Sequence, residues 1–564
     1  MQRMRSLGHS QDNSRKHTTR IRIRWLAALI LIGFAVNAGS AKQGVFFARE
    51  VYMPKPLPVF AETKDKLPSP IYDEDPDYVR CYWKSWELAF RNFHEPAAES
   101  GFVSQFIDAA FNQNIFLWDT CFMTMFCNYA HPYVPGICSL DNFYAKQHED
   151  GEICREINRS TGKDFEPWVN KENRPLFSRW GYAWDDGFKQ VDVTYRARAV
   201  PPPNPKLTLD SLNHPIFAWA ELESYRLTQD RSRLELVWEP LVRYYHALKK
   251  YLRQGNGLYI TDSASMDNAT RNVYLESGGT GIDISSEMVL FARNLAEIGL
   301  ILGKQKQAAQ YEQDTEELVT LINELMWDDT RKFYFDLTLQ GKKAPVKSIA
   351  AFWTLLAEVA SKSQAEALAA ELNNPQTFKT VHRVPTLAAN ERGFNAQGGY
   401  WNGAVWAPTD MMVIRGLENY GYTELAREIA LNHLHNVIEV FRTTGTVWEN
   451  YAPQSIAPGK PSKRDFVGWT GIGPIALLLE YAIGVKADAI ANTITWDIRS
   501  SKRIGIDNFW FGGKTVSLVC GQGDSDSKRS VRVRSDGAFH LVITFEDKTR
   551  TVEVPAKQLV EVRL

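Results

Sequence analysis

The sequence predicts a mainly α protein of repeated helix hairpins that ends in a small antiparallel β region. Three observations carry this. Apolar residues recur at helical 3–4 spacing from about Asp77 to Val485, long aromatic- and Gly-rich loops interrupt them, and apolar–polar alternation takes over after Lys486.

Residues 1–41 stand apart from the fold. A basic stretch, "MQRMRSLGHSQDNSRKHTTRIRIR", precedes the apolar run "WLAALILIGFAV" and the small-residue segment "NAGSAKQ". That order reads as a signal peptide cleaved after Ala41, or as an N-terminal anchor if uncleaved, and so as an exported, periplasmic or secreted protein. The apolar run is shorter than the roughly 20 residues of a comfortable span. Residues 42–76, rich in Pro and without periodicity, read as an extended lead-in. Residues 77–485 carry the helices. Met288, Phe291, Ala292, Leu295, Gly299 and Leu302 share one face of a predicted helix over Ser286–Leu302, and Gly303 and Lys304 close it. Tyr311, Leu318, Leu321, Ile322 and Leu325 mark its partner. Similar text covers 78–93, 214–227, 234–252, 350–358, 403–417, 423–440 and 473–483. The short links imply antiparallel hairpins. Segments such as "NTITWDIR" and "AFHLVITFE" then make residues 486–564 a β-sandwich-like C-terminal domain.

Lys plus Arg number 65 against 66 for Asp plus Glu, which argues against a nucleic-acid partner. The 17 Trp, 22 Tyr and 29 Phe suit sugar rings as well as cores. The six cysteines, Cys81, Cys121, Cys127, Cys138, Cys154 and Cys520, form no C-x-x-C pair. They read as buried thiols, with a bridge among Cys121 to Cys154 as the alternative. No metal or cofactor is called for.

Function is expected in the loops. Five stand out: "NIFLWDTCF" from Asn114, "AKQHEDGEICREI" from Ala145, "TDSASMDNATRN" from Thr261, "NAQGGYWNGAVWAPTD" from Asn395 and "TVWENYAPQ" from Thr446. Followed by F-x-G-W-T, they resemble in this order the trehalase-like glycoside hydrolases, closest to families 63 and 37 and the mannosylglycerate-hydrolase-like bacterial enzymes. The resemblance covers roughly residues 78–485. It implies an (α/α)6 toroid, six helix hairpins around a funnel-shaped pocket. It further implies that "SASMDNATR" carries the general acid at Asp267 and that "ENYAP" carries the general base at Glu449. Trp118 and Asp119 match the pair that grips the innermost sugar, and Gly398–Trp406 match the pocket wall. Ala452 and Thr270 depart from the family pattern. Gln147, Asp150, Arg155, Trp184, Asn268, Gln397, Trp401, Asn402, Trp406 and Trp448 complete the expected substrate-binding set.

Glycosidic cleavage needs a proton delivered to the leaving oxygen and an activated nucleophile opposite, which two carboxyls with separated pKa values provide. Asp267 beside Met266 is expected to be protonated and Glu449 ionised, with no basic residue within four positions of it. Inversion goes with the resemblance. Each residue also has a plainer use. Asp267–Asn268 can form a turn, Asp119 can cap a helix near Thr120, and Asp283 can cap the helix before "ISSEM". Glu149 and Asp150 can be solvated acids, and Trp180 and Trp184 can be core. His433 and His435, two apart on a helix, face different ways.

The expected activity is exo-acting hydrolysis of a terminal α-glucoside or α-mannoside from an oligosaccharide or glycoside. A polysaccharide lyase or sugar epimerase on the same scaffold, recruiting Arg155, Tyr400 and His148, is one alternative. A non-catalytic glycan-binding protein is another.

Overall fold

The computed structural model describes residues 47, 52–164, 212–261, 265–275, 278–522, 529–546 and 548–564. Within it the longer helices alternate between two kinds. Helix α1 (Pro76–Phe90) is buried along one face, whereas α2 (Leu117–Cys127) is buried at every residue. In the same way α3 (Phe217–Thr228) is followed by the half-exposed α4 (Arg231–Leu252), and α5 (Ile282–Ile301) by α6 (Gln305–Leu325). In α6 only Ala308, Tyr311, Thr315, Leu318 and Ile322 are buried, a single stripe. A helix apolar on all sides belongs inside, and one with a single stripe belongs on the surface of a helical body. Helices α7 (Lys362–Leu372), α8 (Ala407–Asn419) and α9 (Thr423–Thr444) follow, and a wholly buried π-helical segment, Gly473–Ala482, ends the helical part.

The predicted C-terminus of α5 takes the expected form. Gly303 is left-handed (φ 77°), Lys304 N–H donates to Gly299 O (2.7 Å) and Gly303 N–H to Leu300 O (3.1 Å), the paired bonds of a Schellman turn. Two predicted helices differ. The segment predicted over 403–417 begins at Ala407, because Gly403 has φ 144° and Val405 pairs instead with Tyr451. The segment predicted over 350–358 is a 3₁₀ turn, Ile349–Phe352, running into one helical turn, Trp353–Leu356. Asp119 lies in the first turn of α2, which starts at Leu117, and Asp283 in the first turn of α5 after Gly281; neither is an N-cap.

Strand β1 (Ser69–Tyr72) comes from the lead-in. The C-terminal strands are β2 (Val485–Asp488), β3 (Thr493–Ile498), β4 (Ile504–Phe511), β5 (Lys514–Cys520), β6 (Ser530–Ser535), β7 (Phe539–Phe545), β8 (Lys548–Val554) and β9 (Leu559–Arg563). They form a five-stranded sheet, β1-β4-β5-β6-β9, and a four-stranded sheet, β8-β7-β3-β2. Burial in β5, β6 and β7 alternates residue by residue, as the predicted period requires. The expectation of an all-antiparallel region needs one correction: β7 and β3 pair in parallel, His540 opposite Thr493 through Phe545 opposite Ile498. The lead-in needs another, since β1 pairs with β4, Ser69 opposite Asp507 through Tyr72 opposite Ile504. The β region is tied to the helices by backbone bonds from Ala489 to Arg226 O and from Gly512 to Leu227 O (both 2.7 Å). All six cysteines are free thiols, so the alternative of a bridge does not hold. No helix among the described residues is long and apolar enough to cross a membrane.

Candidate active site

Helix α9 ends on Gly445, whose left-handed backbone (φ 72°) sends an N–H to Phe441 O (2.8 Å) and turns the chain into an extended ribbon. In this ribbon Glu449 N–H donates to Lys463 O (2.9 Å), and Lys463 N–H donates back to Glu449 Oε2 (2.9 Å). Tyr400 Oη–H donates to Glu449 Oε1 (3.1 Å). Glu449 is fully buried, and burial pushes its carboxyl up to about 7 against the bond from the Lys463 backbone, the Lys463 charge and the Tyr400 hydroxyl. Glu449 is therefore remote from cations in sequence but not in space, since Lys463 faces it from the paired strand.

Asp267 lies in the turn that follows Ser265, itself left-handed at φ 67°. Its neighbour Met266 is buried, and Asp267 is 7% exposed. Burial raises its carboxyl to about 7; the Arg155 charge opposes that rise, and the charges of Glu156 and Glu449 add to it. The side chain of Asn272 holds the turn by donating to the carbonyls of Met266 (2.9 Å) and Asp267 (3.1 Å). Arg271, with no exposed surface, anchors it from below. Its Nε and Nη2 donate to Asp336 (2.8 and 2.7 Å), and Nη1 and Nη2 donate to Asp283. Asp283 is thus an arginine counter-ion.

The wall loop joins the two. Tyr400 is left-handed at φ 61°, a backbone state that costs a non-glycine residue of order 1–3 kcal/mol and persists where its surroundings over-determine it. Asn268 supplies two of those constraints, donating to Gly399 O (3.0 Å) and accepting from Trp401 N–H (2.9 Å). Asn402 Oδ1 accepts from both the backbone and the hydroxyl of Thr270 (3.0 and 2.8 Å). Asn268 and Asn402, expected to bind substrate, brace the acid loop against the wall.

The remaining expected residues divide. Trp401 and Trp406 stack at 4.3 Å and 4°, and Trp118 lies 5.8 Å from Trp401. Asp119 is buried with Oδ1 unpartnered; burial raises its carboxyl well above the ordinary range, and the charges of Glu156 and Asp267 add to the rise. Arg155 is brought alongside by the pairing of Asn114–Phe116 with Glu156–Asn158, and it meets Glu156 at 2.5 Å. Gln147 donates its amide to Gly151 O and Pro240 O, and Asp150 accepts from Tyr251 Oη (2.9 Å). Both therefore serve the scaffold near α4. Gln397 is exposed and meets Lys460 through its carbonyl. Trp448 makes no ring contact with the other three tryptophans. Its Nε1–H is fixed to Thr444 Oγ1 (3.1 Å), and it lines a cavity of about 500 Å³ with Pro458, Lys460 and Pro461. Trp184 lies outside the described residues. Sequence reasoning missed Tyr400 as the partner of Glu449, and Trp469, which meets Trp118 at 5.1 Å and Trp406 at 5.5 Å. The F-x-G-W-T motif was the available signal for Trp469.

Among the described residues one buried group has metal-ligand chemistry: His382, Asp410 and His433. His433 Nδ1 lies 2.9 Å from His382 Nε2 and 2.7 Å from Asp410 Oδ2. Ligands at the bond lengths of tetrahedral zinc stand about 3.3 Å apart, so this is hydrogen-bond spacing. The group packs under Tyr451, 5.5 Å from His382 and 6.2 Å from His433, behind the base ribbon.

Two buried carboxyls raised to about neutral pKa, on loops joined by the wall that carries the stacked tryptophans, offer the acid–base chemistry that glycosidic cleavage needs. The model of one family, the mannosylglycerate hydrolase MGH1-like glycoside hydrolase domain, matches residues 180–470, just over half of the 564, and the chain belongs to that family. A protein of Borreliella burgdorferi is 26% identical over 362 residues, 62% of this chain and 75% of that protein. The mannosylglycerate hydrolase of Rubrobacter radiotolerans is 29% identical over 195 residues, 34% of this chain and 41% of its own length, so the match spans about two fifths of that relative. The crystal structure of the family 63 mannosylglycerate hydrolase from Thermus thermophilus in complex with glucose shares the fold. Its TM-score is 0.51 at 18% identity, covering 71% of this chain and 99% of that one.

Proposed function

We propose that this chain is an exported, exo-acting, inverting glycoside hydrolase built on an (α/α)6 toroid. In this reading it removes a terminal α-glucosyl or α-mannosyl residue, with Asp267 as general acid and Glu449 as general base. The toroid is supported by the alternation of wholly buried and half-buried helices. It is supported too by the meeting of first and last: α1 packs on Gly473–Ala482, and Arg442 of α9 reaches Asp75 and Asp77 at the start of α1. Export rests on the basic and apolar leader, and an α-mannoside on the family description and the named relative.

The observation that carries the mechanism is an asymmetry between two carboxyls of like pKa. Both stand near 7, and Asp267 is raised in part by the charge on Glu449, so near neutrality the pair favours holding one proton. Glu449 accepts two hydrogen bonds, which favour its charged form; no hydrogen bond from a described residue reaches the Asp267 carboxyl. The proton therefore resides on Asp267. It passes to the glycosidic oxygen as the C–O bond breaks, while Glu449 takes a proton from the water that attacks the anomeric carbon. One water is consumed, and the pair ends with its proton on Glu449. Return of that proton to Asp267 through solvent resets the site.

The test is anomer-resolved NMR on aryl α-glucosides, aryl α-mannosides and mannosylglycerate. The expected first product is the β-anomer of the released sugar, with kcat at least about 10³-fold lower in Asp267→Asn and in Glu449→Gln. Full activity in either variant overturns the assignment, and release of the α-anomer overturns inversion.

A further inference from the structure

Against Trp118 lies an ionisable pair that this mechanism does not use. His214 and Glu287 have no exposed side-chain surface, and His214 Nδ1 meets Glu287 Oε1. The imidazole is held between two indoles, 4.1 Å from Trp118 at 34° and 5.6 Å from Trp353 at 22°. Both its faces are covered, which leaves the Nε2 edge for polar contact. That nitrogen is buried and has no hydrogen-bond partner among the described residues. Buried polar groups in folded proteins are rarely left so, and such a group calls for a water or a ligand.

The neighbourhood favours a ligand. Asp119 Oδ1, Trp401 Nε1 and Trp469 Nε1 are also buried without partners, and their side chains adjoin Trp118 in sequence or touch its ring at 5.8 and 5.1 Å. Donors and an acceptor thus cluster around Trp118, the pattern that a polyhydroxylated ring satisfies and an apolar ligand does not. Because Nδ1 faces a carboxylate, it carries a proton. Nε2 then accepts in the neutral ring and donates in the imidazolium, and a hydroxyl can answer either state. Glu287 fixes the ring as a carboxylate fixes the histidine of a catalytic pair. The pair also feels the charges of Asp283 and Arg271, the residues that anchor the acid turn.

We propose that His214 is a specificity-determining residue whose Nε2 hydrogen-bonds one hydroxyl of the sugar seated against Trp118, with Glu287 as its positioning residue. The inference rests on the hydrolase reading for the identity of the ligand as a sugar.

The test measures binding, not turnover. D-Glucose and D-mannose, with their 2-, 3-, 4- and 6-deoxy forms, are titrated by tryptophan fluorescence and calorimetry into wild type, His214→Ala and His214→Gln. At least one parent sugar is expected to bind. His214→Ala should weaken it about 10- to 100-fold, and His214→Gln, which keeps a polar edge, by less than about fivefold. One deoxy sugar should bind wild type and His214→Ala equally, because it lacks the hydroxyl that Nε2 contacts. A loss of equal size across every deoxy form, no loss at all, or no sugar bound by wild type overturns the proposal. If His214→Ala does not fold, as far-UV circular dichroism would report, His214→Gln and His214→Asn carry the same comparison: a change that spares one deoxy sugar alone supports the contact, and a uniform change refutes it. Hydrolysis with variants blind to every deoxy form would sink this contact alone. Deoxy-selective binding without hydrolysis would sink the hydrolase reading and leave the contact standing.

Discussion

Asp267 receives no hydrogen bond on its carboxyl from the described residues, while Glu449 receives two, and the segments that carry them differ in the same sense. The acid turn is fastened at its flanks, through Asn268, Thr270, Arg271 and Asn272. The base ribbon is fastened at the carboxylate itself, by Tyr400 and the Lys463 backbone. In the proposed mechanism the group that gives up a proton is held from behind with its oxygens bare, whereas the one that stays charged has its charge clamped. Burial acts alike on both, so hydrogen bonding is what distinguishes them.

Removing the anchor of the acid side should have the largest effect on the fold. Arg271→Met leaves Asp283 and Asp336 buried and unpaired, and a loss of about 3–5 kcal/mol in urea unfolding is expected. Asp267→Asn should act in the opposite direction, by an amount that grows with pH. The folded value of Asp267, about 7, lies above its ordinary 3.8. The native state thus gains stability from holding this proton below about pH 4 and loses it as pH rises through about 7. Asparagine cannot ionise, so the variant should match wild type at pH 4 and exceed it by of order 4 kcal/mol at pH 8, read from melting curves. On the base side, Tyr400→Phe removes a donor to the charged form. The acidic limb of the kcat/KM profile should move to higher pH, with kcat down about tenfold. The smallest effect is expected at Trp448, which neighbours Glu449 in sequence but lines a cavity with Pro458, Lys460 and Pro461 and not with the stacked tryptophans; Trp448→Ala should change kcat by less than about threefold. A tenfold or greater loss there would place that cavity within the substrate site.

What the sequence revealed and what it hid follow the range of the forces involved. The close of α5 at Gly303 was legible because a Schellman turn is local chemistry. The start of α8 was not, because Val405 is claimed by Tyr451, far along the chain. Asp267, Glu449 and the Trp401–Trp406 wall were marked by ordered motifs, each with its own residue types. Gln147 and Asp150 sat in a motif as well, yet Pro240 and Tyr251, which occupy them, lie about a hundred residues away. Lys463 was hidden for the same reason. Fourteen residues separate it from Glu449, and only the antiparallel ribbon brings it back. Periodicity marks what a segment buries, but not the remote partner that takes up its polar atoms.

Strand β1 sets a boundary for any cut made in the lead-in. Four residues, Ser69–Tyr72, cover the outer edge of β4, which would otherwise offer a row of free N–H and C=O groups to any passing strand. A cut near Ala41 would keep that cover, whereas a protease cutting beyond Tyr72 would strip it and leave an adhesive border. The sheet also cannot be completed until Ile504–Phe511 has been synthesised, so the N-terminal strand must wait for nearly the whole polypeptide before it finds its place.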